Sequence, residues 1–117
     1  MGITYVSATV RSPTGIESEV SFLIDSGATY SLVPLRAWET IGLSAKRKMT
    51  FTLADRTTVE RRTSECYMVL PQGETHTPVI LGEADDEALL GVVTLKELGL
   101  LFNPFNRTLQ PMRMMLT

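Results

Sequence analysis

The chain has 117 residues, 44% of them hydrophobic, and its 11 basic against 13 acidic side chains give a net charge of −2. That length sets one domain over residues 1–117, with a core burying roughly two-thirds of the unfolded surface, and the apolar content excludes a disordered chain. The balanced charge offers no basic field for nucleic acid, and no apolar run approaches the roughly 20 residues a membrane helix needs, so neither nucleic acid nor membrane is an expected partner.

The first strand is predicted over residues 5–10, where apolar and polar residues alternate. Met1 to Val6 lack the basic-then-apolar pattern of a leader, and Val6 stands where a myristoylation signal carries a hydroxyl, so the expected location is cytoplasmic. Ser12-Pro13-Thr14-Gly15 is a turn, and a second strand over 19–24 delivers Asp25. Ser31-Leu32-Val33 is a short apolar piece. Pro34 then suits the first turn of a helix running to Ile41, with Gly42 placed to end it. Lys46-Arg47-Lys48 reads as a solvated loop. Met49, Phe51 and Leu53 alternate with polar or small residues as a strand, and Ala54-Asp55-Arg56-Thr57 is its turn. The returning arm, 58–62, is polar and suited to project from the body.

A strand over 65–70 follows, then a turn at Pro71-Gln72-Gly73-Glu74 and a strand over 77–81. Cys66 is the only cysteine, which excludes an intrachain disulfide; its apolar neighbours mark it as a buried structural thiol. His76, the only histidine, falls in a loop-like stretch. No His/Cys cluster has metal-ligand spacing, and the acidic loop 83–87 lacks the ligand spacing of a calcium loop, so no metal and no cofactor is expected. Ala88-Leu89-Leu90-Gly91 is a buried run. Thr94 and Glu97 fit a capping box on a short helix ended by Gly99. A hairpin over 100–110 closes the pattern. The methionine-rich tail (Met112, Met114, Met115) suits coverage by a partner chain.

The stretch with the strongest chemical content is Phe22-Leu23-Ile24-Asp25-Ser26-Gly27-Ala28-Thr29. An apolar strand ends on a carboxylate, whose placement there is costly unless the charge is hydrogen-bonded or shared. Gly27 lets backbone N–H groups turn towards it, Ser26 supplies a hydroxyl, and Ala28 keeps the floor small. The same residues also suit a strand-end Asp that satisfies a turn. The chain further repeats one grammar imperfectly: apolar strand, Gly-containing turn, short helix, then Gly42-Leu43 in the first half and Gly99-Leu100 in the second.

Asp25-Ser26-Gly27-Ala28, with Leu89-Leu90-Gly91 ahead of a short helix, resembles the two-part signature of the retropepsin-like aspartic proteases, especially their small single-domain prokaryotic members. The resemblance covers about residues 3–111. It implies a mainly β fold, the closed barrel of one acid-protease half with one or two short helices, and a flap at the hairpin around Asp55. Asp25, Ser26 and Gly27 would be the catalytic residues, with Gly27, Ala28, Asp55, Arg56 and Thr57 contacting substrate. One such loop per chain is half a site. The mechanism needs two carboxylates, one taking a proton from water and one giving a proton to the carbonyl oxygen. Carboxylates about 3 Å apart cannot both ionise and so hold one proton between them. The resemblance therefore implies a two-fold homodimer acting on peptide or protein substrates. The hairpin tip departs from the family in carrying Asp55-Arg56 in place of a glycine-rich turn, which also admits a catalytically weak or inactive dimerisation or peptide-binding module. A phosphate-gripping loop is the third reading, but the chain is too short for a sugar-kinase-like ATPase and no P-loop Lys follows.

Overall fold

The computed structural model describes residues 3–113, 115 and 116; Met1, Gly2 and Met114, which entered the terminal readings above, lie outside the described residues. Nine strands and two short helices follow one another: β1 (Tyr5–Arg11), β2 (Glu17–Ile24), β3 (Ser31–Val33), α1 (Leu35–Ile41), β4 (Arg47–Thr52), β5 (Thr58–Leu70), β6 (Gly73–Leu81), β7 (Leu89–Leu90), α2 (Val92–Glu97), β8 (Leu100–Asn103) and β9 (Thr108–Pro111). The main sheet runs β1-β2-β7-β3-β6-β5-β4, and a further β1–β5 pairing closes it into a ring. This is the mainly β, closed-barrel architecture with two short helices that the sequence implied. Closure pairs β1 with β5 and leaves β4 as an edge strand.

The ring closes because β5 is long. Its first half pairs with β4, Thr52 opposite Thr58 through Arg47 opposite Thr63. Its second half pairs with β6, while Tyr67 to Val69 also pair with Arg11 to Thr9 of β1. The expected break between a polar arm (58–62) and a strand (65–70) is therefore absent: one strand runs from the projecting hairpin into the barrel wall. Arg47 and Lys48, expected in a loop, lie in β4. Their charges are compatible with an edge strand whose side chains stay in water. His76, also expected in a loop, sits on β6 opposite Tyr67, with ring centroids 4.8 Å apart. The short connection at Pro71 and Gln72 lets β6 begin at Gly73, so the polar residues before Pro78 stay in the ladder.

Phe22, Val10, Met68, Val79, Leu81, Leu90 and Ile41 are almost fully enclosed and form the barrel interior. Each such side chain contributes about 1.5–3 kcal/mol by burial. Helix α1 packs Ala37, Trp38 and Ile41 into this core. Its Trp38 donates Nε1–H to the Gly82 carbonyl at 2.9 Å, and the Arg62 guanidinium lies 5.3 Å from the Trp38 ring centroid. Gly42 closes α1 at φ +76, a left-handed conformation that suits glycine. Among the described residues no helix is long and apolar enough to cross a membrane.

Helix α2 departs from the expected capping box. It starts at Val92, and no side chain caps it. The Val92 and Val93 N–H groups donate instead to the carbonyls of Ala28 and Thr29, at 2.8 and 2.9 Å. Thr94 is fully buried, its hydroxyl engaged elsewhere. The first-turn donors are thus satisfied by the loop after Asp25 and not by a local cap.

Candidate active site

Two strands deliver Asp25 to the mouth of the barrel. Leu23 and Ile24 of β2 pair in parallel with Leu89 and Leu90 of β7, and Leu32 of β3 pairs with Leu89 on its other side. The Asp25 N–H continues the ladder by donating to the Leu90 carbonyl at 3.0 Å. Beyond it the chain turns, with the Ala28 N–H on the Asp25 carbonyl at 3.1 Å. The Gly27 N–H donates to Asp25 Oδ1 at 2.9 Å. A Cβ at Gly27 would stand 3.3 Å from that same oxygen, so a side chain there would crowd the carboxylate. Asp25 is half-buried, and Ser26 and Gly27 are exposed.

Beneath the loop lies a buried chain of hydroxyls. The Gly91 N–H donates to Ser31 Oγ at 2.9 Å. Ser31 Oγ and Thr94 Oγ1 share a hydrogen bond of 2.6 Å, and Thr94 Oγ1 and Thr77 Oγ1 one of 2.8 Å. The chain ties β3, β6 and α2 together where the loop rests on them. Gly91 permits the closest approach: a Cβ there would meet the Tyr30 carbonyl carbon and oxygen at 2.6 Å and the Ala28 oxygen at 3.0 Å. Ser31 and Thr94 were read from the sequence only as an apolar-strand residue and a cap. Nothing local marks two hydroxyls 63 positions apart as partners.

A cleft of about 290 Å³ opens between the loop and the underside of the β4–β5 hairpin. Gly27 and Ala28 line it from below and Phe51, Leu53 and Val59 from above, with Leu32, Ile80 and Leu89 at the back. Tyr30 joins the two sides, its ring edge-on to Phe51 with centroids 6.0 Å apart. Arg61 also lines the cleft and pairs with Asp86 at 2.5 Å and Glu83 at 3.6 Å, linking the hairpin to the acidic loop. That loop, expected to be merely solvated, is ordered further by the Glu83 N–H donating to Asp86 Oδ2. The alternation of Met49, Phe51 and Leu53 was a usable signal for the hairpin's contribution to the cleft. Arg61 had none, because its partner lies 25 residues away.

Asp55, Arg56 and Thr57 are brought together at the hairpin tip, outside the lining of this cleft. The tip is a three-residue loop closed on itself: the Leu53 N–H donates to the Thr57 carbonyl at 2.7 Å and the Arg56 N–H to the Leu53 carbonyl at 2.9 Å. Arg56 takes φ +71, a left-handed conformation uncommon outside glycine. The Thr57 hydroxyl, at 2.6 Å, and its N–H, at 3.0 Å, both donate to Asp55 Oδ1 and hold that carboxyl below its ordinary value. Cys66 is buried in the barrel wall, and burial pushes its thiol up to about 12, which keeps it protonated and unreactive.

The arrangement presents a half-buried carboxylate just past the end of β2, one of its oxygens fixed by a backbone N–H; Gly27 and Ala28 of its loop line the cleft, whereas Asp25 and Ser26 lie outside that lining. A carboxylate so placed can take a proton from a water molecule. A family model described as aspartyl protease matches residues 6–92, from β1 to the first residue of α2. No curated protein matches the chain.

Proposed function

This chain belongs to the aspartyl protease family, and from that premise we propose that it is a homodimeric aspartic endopeptidase that hydrolyses peptide bonds with a water activated by two copies of Asp25. The observation that carries the reading is the open side of Asp25: one oxygen accepts from the Gly27 N–H, and the carboxylate sits half-exposed above a fixed backbone loop. An isologous dimer would set that face against its own copy. The pair would hold one proton, so that one carboxylate takes a proton from water while the other gives one to the substrate carbonyl. Ser26 would brace the two loops across the axis. Gly27 and Ala28 would meet the backbone of an extended peptide added as a strand, and Asp55, Arg56 and Thr57 would cover it. Because one proton must stay on the pair, hydrolysis is expected to be fastest on the acid side of neutrality.

The test is Asp25→Asn. Peptide cleavage is expected to fall by a factor of about 10²–10⁴ or more, while circular dichroism and sedimentation stay as in the wild type. Undiminished cleavage, or a wild-type protein that sediments as a monomer under every condition tried, refutes the proposal.

The closed, glycine-free tip at Asp55, Arg56 and Thr57 favours a second reading, in which the same dimer binds peptides with little or no turnover. A peptide carrying a hydroxyl group in place of the scissile amide separates the two. Tight binding accompanied by cleavage of ordinary peptides supports the enzyme; binding of ordinary peptides without cleavage supports the module.

A further inference from the structure

The underside of the hairpin continues past the cleft into a second hollow of different chemistry. Alternate residues of a strand share a face. Along β4 and its extension Arg47, Met49, Phe51 and Leu53 alternate, and along β5 Val59, Arg61, Thr63 and Glu65. Register sets Phe51 opposite Val59, Met49 opposite Arg61 and Arg47 opposite Thr63. The inner members, Phe51, Leu53, Val59 and Arg61, line the cleft beside Gly27 and Ala28. The outer members, Arg47, Met49, Thr63 and Glu65, line a neighbouring hollow of about 270 Å³. On β6, Ile80 lines the cleft, and Pro78 and Val79 line the hollow. Tyr30 borders both. The two spaces adjoin at Tyr30, and their hairpin linings are offset by about two strand residues.

Their linings differ in charge. The cleft's one cation, Arg61, is taken by Asp86 and Glu83. The outer hollow carries Lys46 and Arg47 against the single carboxylate of Glu65. Lys46 pairs with Glu65 at 3.0 Å, whereas Arg47 is exposed and makes no ion pair among the described residues. Thr63 and Ser64 also line the hollow, and the Thr63 hydroxyl donates to the Arg47 carbonyl at 3.2 Å. An exposed guanidinium presents a fork of donors suited to a carboxylate.

We infer that the outer hollow selects an acidic side chain, Asp or Glu, two residues along an extended peptide from the apolar side chain that fills the cleft beside Gly27 and Ala28. The inference rests on the protease reading and names its substrate class. An extended peptide places same-face side chains roughly 6.5 Å apart, with the intervening one turned away, so a single peptide offers one side chain to each compartment. Arg47 would be the specificity-determining residue.

The experiment is cleavage of a diverse peptide library by the wild type and by Arg47→Glu, with cut sites read by mass spectrometry. In the wild type, Asp and Glu should be enriched about three- to fivefold at one position two residues from the large apolar residue, the scale of an exposed charge pair. Arg47→Glu should transfer that enrichment to Lys and Arg. In the wild type alone the enrichment should shrink in about 0.5 M salt, a readout that needs no variant. Cleavage with no acidic enrichment, or an Arg47→Glu profile equal to the wild type's, overturns the selection and leaves the protease reading standing. A folded, dimeric wild type that cuts no peptide overturns both.

Discussion

Replacing Gly91 by Ala tests the contact on which the Asp25 loop rests. The added Cβ would lie 2.6 Å from the Tyr30 carbonyl carbon and oxygen and 3.0 Å from the Ala28 oxygen. Carbon contacts prefer about 3.5–4.0 Å, so something must retreat by close to 1 Å. The obstacle is backbone. The Ala28 and Thr29 carbonyls are held by the Val92 and Val93 N–H groups at 2.8 and 2.9 Å. Retreat strains two hydrogen bonds of about 1 kcal/mol each, and staying put is overpacking at about 1–3 kcal/mol. Gly91 takes φ −97, which any L-residue adopts, so Ala should regain up to about 1 kcal/mol by narrowing the unfolded ensemble. The balance is a loss of about 1–2 kcal/mol, a noticeable part of the 5–15 kcal/mol typical of a domain. Urea unfolding measures it as a lower midpoint at constant slope. Gly42→Ala is the control: its φ is +76 but nothing lies within 4 Å of the added Cβ, so its cost of about 1 kcal/mol is conformational alone. Cleavage per folded molecule should fall in Gly91→Ala, because residues 28–30 can yield only by moving the loop that carries Asp25, and should hold in Gly42→Ala. A Gly91→Ala protein as stable and as active as the wild type refutes the reasoning.

Other outcomes follow from the same geometry. Thr94→Val keeps the shape of the side chain but deprives Ser31 and Thr77 of a partner, and should cost about 1–3 kcal/mol in urea unfolding; an unchanged midpoint contradicts the buried hydroxyl chain. Arg56→Gly should relieve the left-handed tip and raise stability by about 1 kcal/mol or less in a thermal melt, whereas a less stable variant contradicts the strained turn. The folded Cys66 thiol, raised to about 12 from 9.0, stays protonated after the unfolded thiol ionises. Its contribution is therefore full below pH 9 and declines by about 1.4 kcal/mol per pH unit towards 12. The stability difference between wild type and Cys66→Ala should narrow as urea unfolding is repeated from pH 8 to 10.5; a difference independent of pH goes against it.

What could be read from the chain was whatever its neighbours in sequence decide. Phe22-Leu23-Ile24 running into Asp25-Ser26-Gly27 states a strand and a tight loop, and Pro34 to Gly42 states a helix with both ends marked. The misreadings share one cause, long-range pairing. The arm 58–62 reads as a polar hairpin arm separate from the strand 65–70, yet β4 pairs with its length and β6 takes over at Thr63, so the two are one 13-residue strand. Thr94 and Glu97 have capping-box spacing, but the donors at that helix start find the carbonyls of Ala28 and Thr29, more than sixty residues earlier. Asp86 looked like one of several solvated acids until β5 brought Arg61 against it.

The hydrogen bonds around the candidate site are distributed unevenly between main chain and side chains. The backbone of residues 25–29 is fixed from below: Asp25 donates to Leu90, Ala28 donates back to Asp25, and α2 caps itself on Ala28 and Thr29. The side chains of Asp25 and Ser26 are left comparatively free. An ionised carboxylate has about four acceptor positions, and among the described residues one donor, the Gly27 N–H, reaches the Asp25 carboxylate. Ser26 is exposed, with a hydroxyl able both to give and to accept. A loop whose main chain is held rigid while its polar groups face outward is positioned to complete its bonding with something brought to it. Under the proposed dimer that something is the same loop again, followed by water and the substrate carbonyl. The rigidity then matters as much as the acid, because two carboxylates share one proton only if neither loop can back away.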